Sequence, residues 1–264
     1  MPKNGQAKVL SNDELEIVLA AIETHRYPAK NAAIVQTSFK LGLRVQELAL
    51  LRLREVCQIG ATYPRGYELK DTLVLPKSFT KGARATAIRG DKKSVRTSVR
   101  FPVAEFDKVV QRIARAARAG RTVDPAEYYP PLKPSGGRTR ELPLSDTGLI
   151  AALERYLDER ALNTVTFRPN APLFLSQKGG SYSPNTLQDH IATMYRAWAG
   201  IERATSHSGR RTLATKLLHD QGEHLKTVQQ VLGHRDAATT TIYQDVPEEE
   251  MRRVLHDVGE SYEH

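Results

Sequence analysis

Glycines placed just past apolar-periodic stretches are the strongest constraint on how this chain can fold. Gly42, Gly200, Gly222 and Gly233 each close a stretch that reads as helical, as expected where a helix ends by turning through a left-handed residue. The starts are equally marked. Ser11-Asn12-Asp13-Glu14 forms a capping-box pattern ahead of Leu15, Val18, Leu19 and Ile22, and Ser183-Pro184 places a cap residue before a proline at the first helical position. Helices are predicted from Ser11, over Ala32–Lys40, Val45–Leu53 and Glu105–Ala119, from Ser145 to about Arg160, from Ser183 to Gly200, from Ser208 to Gly222 and over Leu225–Leu232. A last short helix, capped by Asp236, is predicted to run through Tyr243, and Glu248–Val258 can form another in the tail. Strand-like patterns are fewer: Asp71–Leu75, Ser94–Val103 and Arg138–Leu144. Leu173-Phe174-Leu175 is a short apolar piece, and Asp124–Gly137 reads as a loop. The expected class is mainly α with a small antiparallel β-sheet, an α+β fold, over residues 1–264 as one domain.

On Glu105–Ala119 the apolar face is predicted to be Phe106, Val109, Val110, Ile113 and Ala117, with Lys108, Arg112 and Arg115 as a basic stripe beside it. Charge is concentrated around this helix. The formal net charge is +9, and residues 82–140 hold 14 Lys/Arg against 5 Asp/Glu, so the remainder, with 25 of each sign, is neutral. The tail after Pro247 is acidic, with six acids against Arg252 and Arg253. A basic excess in one segment points to an anionic partner, most simply nucleic acid, or else to a solvated helix face. Cys57 is the only cysteine, which excludes an intrachain disulfide framework and a cysteine-based zinc site. No apolar run approaches the ~18 residues of a membrane span.

Four constellations could carry chemistry. His207 and Arg210, three apart at a helix start, share a face and could present an imidazole and a guanidinium fork to a phosphate; they could equally be a surface pair. Gly233 could aim His234 at a fixed point, or His234 could sit incidentally at a helix end. Tyr243, nine residues on, is a phenol that needs cationic or proton-accepting help to attack, and tyrosines are more often packing residues. Arg44, between two helices, could cap carbonyls or pair with Glu47.

Taken together these residues resemble the tyrosine recombinase (phage integrase) family. The resemblance rests on Gly42-Leu43-Arg44-x-x-Glu47-Leu48, His207-x-x-Arg210-Arg211-Thr212-x-Ala214-Thr215, Leu232-Gly233-His234 and Thr240-x-x-Tyr243. Leu175-Ser176, Tyr182-Ser183-Pro184-Asn185-Thr186-Leu187 and Gly222-x-x-Leu225-x-x-Val228 support it, and it covers about 10–75 and 140–247. The resemblance implies the catalytic-domain fold of that family and a site-specific recombinase that cuts and rejoins double-stranded DNA. Tyr243 would be the nucleophile, Arg44 and Arg210 would hold the non-bridging phosphate oxygens, and His207 and His234 would assist. The covalent intermediate conserves the bond energy, so no cofactor and no metal are implied. A type IB topoisomerase-like relaxase shares this chemistry, and a non-catalytic DNA-binding module is a further reading.

The family's general-acid lysine sits on a β-hairpin, where this sequence departs from the pattern. Lys81 follows a good strand, but Arg140-Glu141-Leu142-Pro143-Leu144 comes about 60 residues later, and Lys133 is the alternative. The stretch at about 82–140 would then be a basic insertion, with Lys92, Lys93, Arg96, Arg112 and Arg115, together with Arg211, as candidate DNA contacts. Only about ten residues precede the first helix, so the chain is expected to be a catalytic domain alone, without the family's core-binding domain; the start at Met1 favours a minimal recombinase over a fragment. The tail at 247–264 is expected either to dock on a neighbouring subunit of a homotetramer on DNA, the free protein being monomeric, or to pack on its own body. The expected location is the bacterial cytoplasm, on the nucleoid when DNA is bound.

Overall fold

The computed structural model describes residues 6–76, 79, 87–89, 92–94, 103–122, 139–163 and 165–233. They fall into two compact units, one of residues 6–76 with 139–233 and one lying between 77 and 137.

The larger unit begins with helix α1 (Asn12–Glu23), whose predicted capping box forms: the Ser11 hydroxyl accepts from the Glu14 amide and the Glu14 carboxylate accepts from the Ser11 amide, both at 3.1 Å. Helix α2 (Pro28–Leu41) starts earlier than predicted. Pro28 takes the first helical position, where its missing N–H costs nothing. Tyr27, before it, adopts a left-handed backbone at φ 62°, which no side-chain cap announces. Gly42 closes α2 at φ 58°. Eleven of the fourteen α2 residues are buried, which makes it the central helix of the unit.

The predicted Val45–Leu53 helix divides into α3 (Val45–Leu50) and α4 (Leu53–Val56). The break has a visible cause. The Leu173 amide donates to Leu51 O at 2.8 Å and the Leu53 amide to Ala171 O at 3.0 Å, so a later stretch of chain takes backbone groups that a continuous helix would have used. Strands β1 (Cys57–Ile59) and β2 (Tyr67–Leu69), which carry no strong alternation, pair antiparallel. β3 (Thr72–Leu75) lies within the predicted strand.

In the smaller unit, β4 (Ala87–Arg89) and β5 (Lys92–Ser94) pair antiparallel, and α5 spans Val103–Arg118. The predicted strand Ser94–Val103 is met only at its ends, where Ser94 closes β5 and Val103 opens α5; residues 95–102 lie outside the described set. The predicted apolar face of α5 is corrected: Val109 and Ala116 are buried, while Phe106 at 59% and Val110 at 48% exposure, with Ala117, face out. Arg112 is half-buried beside Val109 and Ala116 rather than on an open basic stripe; Lys108 and Arg115 are exposed.

Back in the larger unit, β6 (Arg140–Pro143) pairs antiparallel with β3, so the smaller unit is inserted in sequence between two partner strands. Helix α6 (Thr147–Ala161) is capped by Asp146, not Ser145: the Asp146 carboxylate accepts from the Leu149 amide at 2.8 Å. The predicted Ser183–Gly200 and Ser208–Gly222 helices appear as α7 (Pro184–Thr193) and α8 (Ser208–Thr215), each extended by a π-helical turn, at Met194–Trp198 and Lys216–Asp220. α9 (Leu225–Leu232) ends at Gly233 as predicted, with φ 63°. The β content is therefore three separate two-stranded antiparallel ladders among the described residues, in place of one small sheet. Among the described residues no helix is long and apolar enough to cross a membrane.

α2 packs against α6, α8, α1 and α3. Its contact with α8 needs Gly209, where a Cβ would lie 2.6 Å from Ser38 Oγ and 3.0 Å from the Ser38 carbonyl carbon. That close approach brings Arg210 to the end of α2.

Candidate functional site

Three chain ends meet in the larger unit: the C-terminus of α2, the N-terminus of α8 and the C-terminus of α9. Arg210 joins two of them. Its guanidinium, on a residue only 4% exposed, donates to Gly42 O and to Leu232 O, each at 2.6 Å. Both acceptors are carbonyls at helix ends that lack an intrahelical partner, where a cation is favoured by the helix dipole. Gly42 is required there: a Cβ would lie 2.9 Å from Leu213 Cδ2 and 3.1 Å from Leu232 Cδ2. His207 precedes α8, with its amide donating to Thr205 Oγ1 at 3.2 Å, while Ser208 Oγ accepts from the Thr205 amide at 2.9 Å. These bonds set the turn that leads into α8.

Arg44 caps α3 through its backbone. Its amide donates to Glu47 Oε2 at 2.8 Å and its side chain to Glu47 Oε1 at 3.0 Å. Of the two uses the sequence leaves open for Arg44, the ion pair with Glu47 is the one formed. Glu47 is fully buried, and it has a second cation. Arg140 donates to Glu47 Oε2 at 2.9 Å and to Val231 O at 3.1 Å. The β3–β6 register explains why Arg140 points inward. It sits opposite Leu75, and it alternates with exposed Glu141 and buried Leu142. The sequence marks Arg140 only as the start of the strand Arg140–Leu144, and neither its pairing with Glu47 nor the burial of Glu47 is legible there; the one available signal is the inward position of an arginine in an alternating strand.

Electrostatics follow from this gathering. Arg44 and Arg140 share the buried Glu47 carboxylate, and Arg140 and Arg210 donate to successive carbonyls at the end of α9. Burial lowers the Arg140 pKa, Glu47 opposes that shift and Arg44 adds to it. The His207 pKa is pulled below the usual histidine value, first by desolvation and then by Arg210 and Arg44. The residue as a whole is exposed, and with its pKa below the usual histidine value the ring is neutral at pH 7, able to accept or donate one hydrogen bond. Such a cluster favours an anion that can take several N–H donors at once.

Glu47 should also dominate local stability. Glu47→Ala leaves Arg140, whose side chain is 6% exposed, with an uncompensated charge. The expected cost is about 3–5 kcal/mol in unfolding free energy by denaturant titration. Glu23→Ala, which breaks an exposed pair with Arg155, should cost less than about 1 kcal/mol. Equal losses would mean that the buried carboxylate is not what holds the cluster.

The structure therefore brings Arg44, His207 and Arg210 into one region. Arg211, a candidate DNA contact, is half-buried and donates to Ala7 O at 2.9 Å. Lys92 and Lys93 lie on β5, and Arg112 and Arg115 on α5, in the other unit. Lys81, Arg96, Lys133, His234 and Tyr243 lie outside the described residues, as do the predicted 124–137 loop, the Asp236–Tyr243 helix and the Glu248–Val258 tail helix.

Comparison with known proteins adds to this geometry. The phage integrase family matches residues 132–250. A stretch of 111 residues is 40% identical to the tyrosine recombinase XerC of Methylobacterium sp. (strain 4-46), covering 42% of the chain and 33% of that relative. A stretch of 120 residues is 33% identical to the tyrosine recombinase XerD of Pseudomonas putida, covering 45% of the chain and 39% of the relative. These matches thus span about a third of the relatives' length. The fold is that of tyrosine recombinase catalytic domains. The crystal structure of XerA recombinase superposes at a TM-score of 0.57 with 21% identity, over 97% of this chain and 66% of that one. The XerH site-specific recombinase, in a post-cleavage complex with the palindromic difH substrate, gives 0.54 with 19% identity, over 99% and 55%.

Proposed function

We propose that this chain is a site-specific tyrosine recombinase that cleaves and rejoins double-stranded DNA. The observation that carries the reading is the convergence of Arg44, His207 and Arg210, 166 residues apart in sequence at the extreme, beside the end of α9. It is supported by the family match and by relatives that are XerC and XerD tyrosine recombinases.

The Tyr243 oxygen attacks the scissile phosphorus, and the bond from phosphorus to the 5′ oxygen breaks. The phenolic proton passes to a neutral imidazole, His207 or His234, and the leaving oxygen takes a proton from Lys81 or, in its place, Lys133. The products are a 3′-phosphotyrosyl bond and a free 5′-hydroxyl, and reversal by another 5′-hydroxyl rejoins the strand. Arg44 and Arg210 stabilise the negative charge that grows on the non-bridging oxygens, and their fixed hydrogen bonds mean that little reorganisation is needed as it does so. The chemistry calls for no cofactor. Lys92, Lys93, Arg96, Arg112 and Arg115 are proposed to meet the DNA backbone, in a basic insertion at about 82–140 whose affinity falls with salt. Arg211 is a weaker candidate, since Ala7 O already accepts from it. The working assembly is a homotetramer on two sites, in the bacterial cytoplasm and on the nucleoid when DNA is bound.

The test is covalent capture. The protein is incubated with a pool of randomised duplexes, denatured in detergent, and the protein-linked DNA is amplified. Enriched sequences attached through a 3′-phosphate, with a free 5′-hydroxyl opposite, are expected. Native retention of DNA without any denaturant-resistant adduct would sink the enzymatic reading in favour of a binding module.

A further inference from the structure

We infer that Arg140 is a positioning residue of this site, holding Arg44 in its working orientation and tying it to the end of α9; this rests on the recombinase reading above. Arg140 is 7% exposed and lies on β6, outside the motifs that hold Arg44, His207, Arg210, His234 and Tyr243. Its guanidinium spans two elements: it reaches Glu47 Oε2 at 2.9 Å and Val231 O at 3.1 Å. Glu47 Oε2 also accepts from the Arg44 amide, while Oε1 accepts from the Arg44 side chain. Arg140 therefore shares with Arg44 the carboxylate that, among the described residues, pairs with Arg44. With that anion divided between two cations, Arg44 keeps net positive charge for a phosphate; with Arg140 weakened, Glu47 would draw Arg44 back as an ordinary ion pair.

The second contact concerns the end of α9. Arg140 takes the Val231 carbonyl and Arg210 takes the adjacent Leu232 carbonyl. Gly233 follows, at φ 63°, and a Cβ on it would stand 2.5 Å from Arg140 Cδ and 3.0 Å from Arg140 Nη1. Glycine is required here both for its left-handed backbone and for the space that the Arg140 stem fills. The next residue is His234. Arg140 Nε is buried without a hydrogen-bond partner, a cost tolerated where the rest of the guanidinium is committed to two acceptors. A lysine could not replace this fork, because its single ammonium cannot serve both acceptors in the same geometry.

The test is a double-mutant cycle on the duplex enriched by covalent capture, with R140K, R44K and the double variant compared with wild type. Adduct formation is timed at saturating DNA, and DNA affinity is measured separately. R140K is expected to slow the adduct step about 100-fold, the effect of a misplaced positioning group, with DNA affinity unchanged. The double variant is expected to be no slower than R44K, because residues acting as one unit are not additive. A wild-type rate in R140K overturns the inference, and so does a double-variant loss equal to the product of the single losses, which marks independent damage to the fold. R140Q, whose amide can still donate to Glu47 or to Val231 O, is carried in parallel in case R140K does not fold. Failure of the wild-type protein to form any adduct would instead count against the recombinase reading itself.

Discussion

Tyr243→Phe is expected to abolish adduct formation while leaving DNA binding at the wild-type level. The substitution removes one oxygen and keeps the ring, so packing around residue 243 changes by less than a methyl group. The chemistry changes completely, since a phenyl ring has no atom that can bond to phosphorus. A phenol is a weak nucleophile at its ordinary pKa near 10, and in the proposed reaction His207, neutral at pH 7 by the direction of its shift, offsets that weakness by taking the proton. Gel retardation in native buffer and denaturing electrophoresis on the same samples separate the two properties. Residual adduct in Tyr243→Phe would assign the nucleophile to another of the ten tyrosines.

Arg210→Lys is expected to slow adduct formation about 100- to 1,000-fold, the range for losing one preorganised donor to a developing oxyanion. The guanidinium of Arg210 is a bracket as well as a charge. Two carbonyls 190 residues apart in sequence, Gly42 and Leu232, accept from it at 2.6 Å. A lysine ammonium can hold one of them at most with comparable geometry, and the other carbonyl is left short of a donor in a buried place, at a cost of about 1–3 kcal/mol in stability. The rate must therefore be read well below the melting temperature of the variant. A rate equal to wild type would show that Arg210 only ties α2 to α9.

Local chemistry was legible where one segment settles its own structure. The capping box at Ser11, the Ser183-Pro184 start of α7 and the Gly233 end of α9 were all readable, because a cap is a contract between residues three or four apart. The family motifs were readable for the same reason, each being a short run with its own spacing. The failures came where a remote segment competed. α3 ends early because residues 171–173 take the backbone groups around Leu51–Leu53. The face of α5 departs from its spacing because apolar periodicity marks more of a helix than the described residues cover, and Phe106 and Val110 stay exposed.

The site divides in the same way. Arg44, His207 and Arg210 could be named from sequence, because guanidinium and imidazole groups beside helix ends are recognisable in the sequence itself. That Glu47 is buried, that Arg140 shares it with Arg44, and that two arginines hold successive carbonyls at the end of α9 depend on the β3–β6 register and on glycine-permitted contacts between distant helices. Caps, helix ends and residue types are set within a turn or two of chain, where covalent geometry limits the choices. The orientation of a charge depends on what is packed against it, and both partners of Arg140, Glu47 and Val231, lie more than 90 residues away.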